Sequence, residues 1–407
     1  MLKQGHTNPL NIVVIVAALG YFVDIYDLIL FSIVRVPSLQ EIGIAAEEIK
    51  NAGVYLLNMQ MIGMLLGGIV WGILGDKKGR LSTLFLTILL YSLANIANGF
   101  VQTLNQYAVL RIIAGFGLAG ELGIGITLVS EVMTKETRAW GTSIVSGVGI
   151  AGAALAFWVS EWGWREAYWV GGVLGLMLLV LRVYIHESGM FDKLKASTAK
   201  RGDFFSLFRN RQKLIKYLAS IFVGVPVWFT IGVLVTFSKE FGEALGITGP
   251  VSPGKSIMYH YAGAAIGSIL TGYISQKLKS RKKALWIAII SLSFLSVWYF
   301  SAGGYTPELF YLILFILGLA NGYWAVFVTV ASEQFGTNIR STATTTIPNF
   351  VRGATVPVLI WWGYMSDGIG IIQSSIIVGA TVVVLAIVAV FFLEESYGKD
   401  LDYLEKD

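Results

Sequence analysis

Apolar residues run along this chain in long blocks, and charges collect in the short gaps between them. Twelve blocks stand out, near 11–36, 52–74, 82–101, 104–129, 138–160, 166–186, 214–238, 256–276, 284–302, 307–332, 339–363 and 370–393. A hydrocarbon layer about 30 Å thick takes roughly 20 apolar residues as a helix, so each block predicts one crossing. The gaps leave no room for a separate soluble domain, and the alternation expected of a membrane barrel is absent. The first block is too long for the apolar core of a secretory signal and no small-residue cleavage site follows it, so it reads as a retained helix. The pattern predicts an all-α integral membrane fold of twelve transmembrane helices.

Composition narrows the function classes. Of the 407 residues 55% are hydrophobic and 14% charged, against about 25% charged in an average soluble domain. Without cysteine the chain forms no disulfide scaffold, iron–sulfur centre or cysteine-ligated zinc site. Three histidines, His6, His186 and His260, make a histidine-rich metal centre implausible. No metal and no cofactor are expected. The net charge of +5 reads as a topology signal and not as a nucleic-acid footprint. With both termini inside, only Arg35, Lys50, Arg165, Lys239 and Lys255 fall outside, and Arg111, Arg182 and Arg352 fall within helices. All other lysines and arginines lie on the inner side, as the positive-inside rule demands. A multi-pass protein of a bacterial or archaeal inner membrane, with both termini cytoplasmic, is the expectation; no Asn-x-Ser/Thr sequon is present.

The two halves resemble each other. Ser130-Glu131 precedes Arg138 by the step that separates Ser332-Glu333 from Arg340, and Gly72 to Arg80 has a worn counterpart at Gly272 to Arg281. The division predicts an N-terminal six-helix bundle at 1–186, a cytoplasmic linker at 187–213 and a C-terminal six-helix bundle with a short tail at 214–407. Two six-helix pseudo-repeats around a central cavity form a transporter architecture, with the ligand site near the midplane. Within the linker, Asp203 to Lys213 mixes aromatic and basic residues, which suits a short helix on the inner membrane surface or a solvated connection.

These motifs resemble the major facilitator superfamily over essentially the whole chain. Gly72-Ile-Leu-Gly-Asp76-Lys-Lys-Gly79-Arg80 matches its loop between helices two and three, and Arg111-Ile-Ile-Ala-Gly115-Phe-Gly117 resembles its fourth-helix pattern. His186-Glu187-Ser188-Gly-Met-Phe191 and Glu394-Glu395-Ser396-Tyr-Gly398-Lys-Asp-Leu401 are similar to two sugar-porter signatures, each without its proline. Asp24-Ile-Tyr-Asp27 and Gly120-Glu121 are similar to motifs of the metabolite:proton symporter branch. The resemblance implies alternating access by a protein that works as a monomer. Asp76, Gly79, Arg80, Glu131, Arg138, Glu333 and Arg340 are the candidate gating residues. Asp76 suits a helix N-terminus, where the dipole favours negative charge, and Gly79 a tight turn. Arg80 offers a fixed fork to a carboxylate or helix end. Gln276 and Ser280 replace Asp and Gly in the second copy, so a weaker latch is expected there.

Five ionisable residues lie at membrane depth: Asp24, Asp27, Arg111, Glu121 and Arg352. Each costs about 3 kcal/mol or more in hydrocarbon, which makes each a functional candidate. Asp27 and Arg111 agree in depth within about 3 Å, so an ion pair between them is geometrically allowed. Asp24 and Glu121 then lack an evident basic partner, and a carboxyl without one favours its neutral form in low dielectric. Asp24 or Asp27 is the expected proton carrier, with Glu121 second or engaged in a structural pair near the inner gate. Arg352 has no carboxylate at its depth in its own half, so its partner is an anionic substrate or, across the halves, Asp24. Arg111 and Arg352 lead the substrate-binding candidates. Tyr21, Tyr26, Asn58, Gln60, His260, Tyr261, Asn321, Trp324 and Asn349 complete them, as polar groups among aromatic walls.

These features point to a secondary transporter whose partners are protons, a small molecule and the lipid bilayer. No phosphate-binding loop is present, so ATP is not the driver. Proton-coupled uptake of a small organic anion, such as a monocarboxylate or sugar acid, is the expected function. The alternatives are a neutral sugar or polyol as substrate, or a non-transporting membrane sensor. An enzyme is not expected, because no nucleophile–base or metal constellation is present.

Overall fold

The computed structural model describes residues 11–134, 137–182 and 201–404, and these are helical, with no strand among them. The first six helices are α1 (Ile12–Glu41), α2 (Ile49–Lys78), α3 (Arg80–Asn98), α4 (Leu104–Leu118, then Glu121–Val132), α5 (Arg138–Ile150, then Gly152–Ser160) and α6 (Trp164–Leu181). The second six are α7 (Arg211–Phe229, then Thr230–Val235), α8 (Pro253–Lys277), α9 (Arg281–Phe300), α10 (Pro307–Asn321, then Trp324–Glu333), α11 (Arg340–Gly353, then Thr355–Ile369) and α12 (Ile371–Phe392). Successive helices run antiparallel, so the start of α1, the α2–α3 and α10–α11 loops and the end of α12 share one face, called lower below. The part of the linker at 187–200, the signature at His186 to Phe191 and the side chain of Arg138 lie outside the described residues.

Ten of these helices are each long and apolar enough to cross a membrane. The other two, α8 and α11, carry polar faces that point inward: the run Arg340-Ser-Thr-Ala-Thr-Thr-Thr-Ile-Pro-Asn349 is buried throughout, as are His260, Tyr261 and Ser268 of α8. Large apolar side chains such as Leu66, Phe294 and Phe391 face outward. An apolar exterior over a polar interior is the arrangement lipid requires. Helix α1 extends five residues past the end of its apolar block, through Pro37 to Glu41. Pro37 lacks the amide hydrogen that would bond the Ile33 carbonyl four residues back.

Glycines set the closest contacts, and they do so twice. Gly63 and Gly67 of α2 lie against the carbonyls of Ile112 and Phe116 in α4, while Gly115 of α4 lies against that of Gln60. In the second half Gly263 and Gly267 of α8 meet the carbonyls of Phe315 and Leu319 in α10, and Gly318 meets that of His260. A Cβ at any of these positions would overlap backbone. Small residues in this role bring helices together where no hydrophobic effect between them operates.

The described end of the linker forms a short helix, Ser206–Arg209. Phe204 packs against Tyr217 and Phe350, whereas Phe205 and Phe208 are exposed. At the other end of the chain, Glu395 caps α9. Burial alone would raise its pKa, but the Ser280 hydroxyl and the amides of Arg281, Tyr397 and Lys282 donate to it and hold it below the usual 4.5. A depressed carboxylate pKa contributes stability above the unfolded value and loses it as pH falls through the folded one. In thermal unfolding, wild type is therefore expected to exceed Glu395→Gln at pH 7, with the difference closing as the pH drops below 4.5.

Candidate functional site

Breaks in the helices converge on the midplane between the halves. Helix α7 contains Pro226, which lacks an amide hydrogen, and four residues later widens into the π-turn Thr230–Val235. Helix α10 is interrupted at Gly322 and Tyr323, and α11 at Ala354. At this level a cavity is lined by Tyr21, Trp228, Tyr261, Asn321, Trp324 and Arg352, with Ile25, Ile150, Val227, Ile231 and Ala264 closing it. Its volume of about 20 Å³ is room for about one water, so this is a closed state that must open to admit anything larger.

Arg352 is the cavity's buried cation. Its Nη1 donates to Asn349 Oδ1 at 3.2 Å, and the Asn349 amide is anchored by the carbonyls of Ala119 and Thr345, both at 2.7 Å. The guanidinium lies over Trp228 and Trp324, 5.6 and 5.7 Å from the ring centroids. Across the halves Asp24 Oδ2 stands 4.0 Å from Nη2. That separation is too long for a hydrogen bond: Nε and Nη2 of Arg352 and both Asp24 oxygens have no hydrogen-bond partner among the described residues. The two charges are apposed but not locked. Trp324 Nε1 donates to the Tyr21 hydroxyl at 3.1 Å, a second link across the midplane.

Of the residues the sequence singled out, Tyr21, Tyr261, Asn321, Trp324 and Arg352 reach the cavity, with Asn349 directly behind. Five candidates do not line it: Arg111 and Gln60, which pair with each other, and His260, Tyr26 and Asn58. His260 bridges α8 to α10, its Nδ1 3.2 Å from the Leu314 carbonyl and its Nε2 3.1 Å from the Asn321 amide. The Tyr26 hydroxyl donates to the Ala167 carbonyl at 2.8 Å, and Asn58 lies on α2 away from the lining. Trp228 does line it, and was missed; the one available signal was its position two residues after Pro226.

Arg111 and Asp27 form no ion pair. Although they match in depth, Arg111 is turned toward Gln60, to which it donates, the Tyr168 hydroxyl at 3.4 Å and the Phe31 ring at 4.8 Å. Asp27 points between α1, α3 and α6, where its Oδ1 lies against Gly171. Glu121 has the cationic partner that depth counting did not give it. Arg182 donates to its two oxygens at 3.1 and 2.6 Å, and Thr87 adds a third bond at 3.0 Å. Arg182 sits at the C-terminal end of α6, and its long side chain reaches back to Glu121.

The gating candidates assemble at the lower face. Helix α11 has no side-chain cap from its own chain neighbours; Asp76 of the other half accepts instead from the Ser341 amide (3.2 Å), the Thr342 amide (2.8 Å) and the Thr342 hydroxyl (2.7 Å). A carboxylate at a helix N-terminus is favoured by both the free amides and the dipole. Gly79 turns the chain at φ 109°, which presents Arg80 to Glu131 at 2.9 Å. Glu131 also meets Arg340 across the halves at 3.4 Å. In the second half Glu333 takes Arg281 through two bonds of 3.2 Å and the Ser396 hydroxyl at 2.8 Å, contacts internal to that half. The upper face is closed by Arg35–Glu240 at 2.8 Å and Lys50–Asp367 at 3.5 Å.

Compared with known proteins, residues 17–355 match the family model of the Major Facilitator Superfamily. A probable 4-methylmuconolactone transporter of Cupriavidus pinatubonensis is 25% identical over 93% of this chain and 89% of its own. The cis,cis-muconate transport protein of Acinetobacter baylyi is 27% identical over 93% of each. A putative niacin/nicotinamide transporter of Bacillus subtilis is 28% identical over 85% of this chain and 86% of its own. A solved proton:xylose symporter, bound to 6-bromo-6-deoxy-D-glucose, superposes with a TM-score of 0.75 over 96% of this chain and 97% of that one. At 15% identity that match speaks for the fold alone.

Proposed function

The chain belongs to the Major Facilitator Superfamily, a multi-pass secondary transporter, and we propose that it takes up a small aromatic or unsaturated carboxylate together with a proton. The observation that carries this reading is the unlocked pair Asp24–Arg352 at 4.0 Å in an aromatic cavity. The free Nε–Nη2 edge of Arg352 has the shape that binds a carboxylate bidentately. Trp228 and Trp324 beside it offer flat apolar faces to a planar ligand. The transport of niacin, muconate and a muconolactone named for relatives supports a ligand of this kind.

Coupling follows from charge. With Asp24 ionised, one guanidinium faces two competing anions once the substrate enters, and in low dielectric that excess negative charge is costly. Protonation of Asp24 removes it. The loaded cavity then holds Arg352, the substrate carboxylate and a neutral Asp24, and one proton accompanies each monoanion. We place the lower face in the cytoplasm, in keeping with its excess of basic residues. A neutral sugar is the second reading, favoured by the same apposition if Asp24 stays ionised as the counter-ion of Arg352.

The test is uptake of labelled niacin into proteoliposomes under an imposed pH gradient, acid outside. Wild type is expected to accumulate it, and Asp24→Asn to bind it with no pH dependence between about pH 5 and 8 and to lose gradient-driven accumulation. Accumulation by wild type that ignores the gradient, or by Asp24→Asn that still follows it, would exclude coupling through this carboxyl.

A further inference from the structure

The N-terminal half holds a second polar region that the cavity does not include. On α3, Tyr91, Asn95 and Asn98 recur four and three residues apart on one face, with Ser92 beside them, and all four are fully buried. Neither amide atom of Asn95 or of Asn98 has a hydrogen-bond partner among the described residues, and the hydroxyls of Tyr91 and Ser92 have none either. Asp27 faces this row from α1 with the Asn95 amide within hydrogen-bonding reach, though neither Asp27 oxygen has a partner of good hydrogen-bond geometry among the described residues. Glycines admit these side chains between the helices: Gly171 of α6 lies against Asp27 Oδ1, and Gly175, one turn on, against Ser92 Oγ and the Tyr91 ring.

Buried polar groups in native proteins are almost always satisfied, and five unpartnered side chains side by side are not a packing accident. Where no protein group serves, water does, with two to four hydrogen bonds to the surrounding polar atoms. The row also has a direction. Asn98 is the last residue of α3, at the upper face. Tyr91 lies about 10 Å deeper and has Asp27, Asp24 and the Glu121–Arg182 pair as its electrostatic neighbours. The charged and titratable groups around Asp27 are Asp24 on its own helix, Arg111 on α4, Tyr91 on α3, and Tyr26 and Tyr168.

We propose that this row is the proton's entry route: a file of water held by Asn98 and Asn95 that leads from the upper face to Asp27 and on past Tyr91 to Asp24, inside the N-terminal half and apart from the substrate cavity. A proton arriving as hydronium passes along the file to a carboxylate oxygen of Asp27 and then to Asp24; the asparagines orient water and carry no proton themselves. The proposal rests on the proton-coupled reading above.

Its test uses reconstituted full-length protein with niacin as the probe. Asn95→Leu and Asn98→Leu fill the file with apolar atoms, whereas Asn95→Ser and Asn98→Ser keep room for water. The leucine variants are expected to lose gradient-driven uptake by about tenfold or more while niacin counterflow at equal pH stays at the wild-type rate, and the serine variants to keep both. Leucine variants that follow the gradient at the wild-type rate would overturn the route while leaving coupling intact. A wild type that shows counterflow but no response to the gradient would overturn coupling itself, and the route with it. If leucine prevents folding, Asn98→Ala at the mouth is read beside Asn98→Ser in the same way: equal gradient-driven rates would overturn the route.

Discussion

Arg352→Gln is expected to weaken binding of an aromatic carboxylate by about 100-fold, some 2.7 kcal/mol, and to abolish its uptake. The arginine is buried, its position is fixed by Asn349 and two tryptophan faces, and two of its three nitrogens have no hydrogen-bond partner among the described residues. A charge-assisted contact made by such a group costs about 2–5 kcal/mol when it is removed. The fold should tolerate the change, because Asp24 is held by no hydrogen bond and takes up a proton once its cation is gone. Isothermal titration with niacin, alongside a melting curve to confirm folding, makes the check. Unchanged affinity would move the binding determinant away from Arg352 and favour a neutral ligand.

The second large effect concerns stability. Glu121→Gln breaks a bidentate pair in which both side chains are almost wholly buried. Removal of one partner strands the Arg182 charge, at a cost of about 3–5 kcal/mol. The melting temperature in detergent should fall sharply, and the double replacement Glu121→Met with Arg182→Met should recover much of the loss, since well-packed apolar pairs often match buried ion pairs. If Glu121→Gln instead melts like wild type but loses gradient-driven uptake, Glu121 is a proton carrier and not a structural anchor.

The crossings were legible because lipid imposes a length on each helix. The apolar blocks marked even α8 and α11, whose inward faces make them the most polar of the twelve. Within the cavity, polar or charged residues at depth announced themselves, as Asn321 and Arg352 did. Trp228 did not, because a tryptophan in an apolar run looks the same whether it faces lipid or ligand. Depth is also only one of three coordinates. Asp27 and Arg111 share it, yet they point in different directions from their helix axes. Arg182 misled in the opposite sense: its Cα lies at the helix end, but its side chain is long enough to place the charge well inside. Pairing at membrane depth thus depends on azimuth and reach, which a residue count does not contain.

The two closures of the cavity are unequal. Below, Asp76 holds α11 through three hydrogen bonds, and Glu131 bridges Arg80 to Arg340 among fully buried groups. Above, one buried arginine meets a partly exposed glutamate, and Lys50 meets an Asp367 that is 79% exposed, a pairing worth little in water. Opening upward therefore breaks fewer and more exposed contacts than opening downward. The asymmetry predicts a resting state biased toward the upper face, and labelling of single cysteines placed at the two mouths in the absence of substrate is expected to be faster above than below.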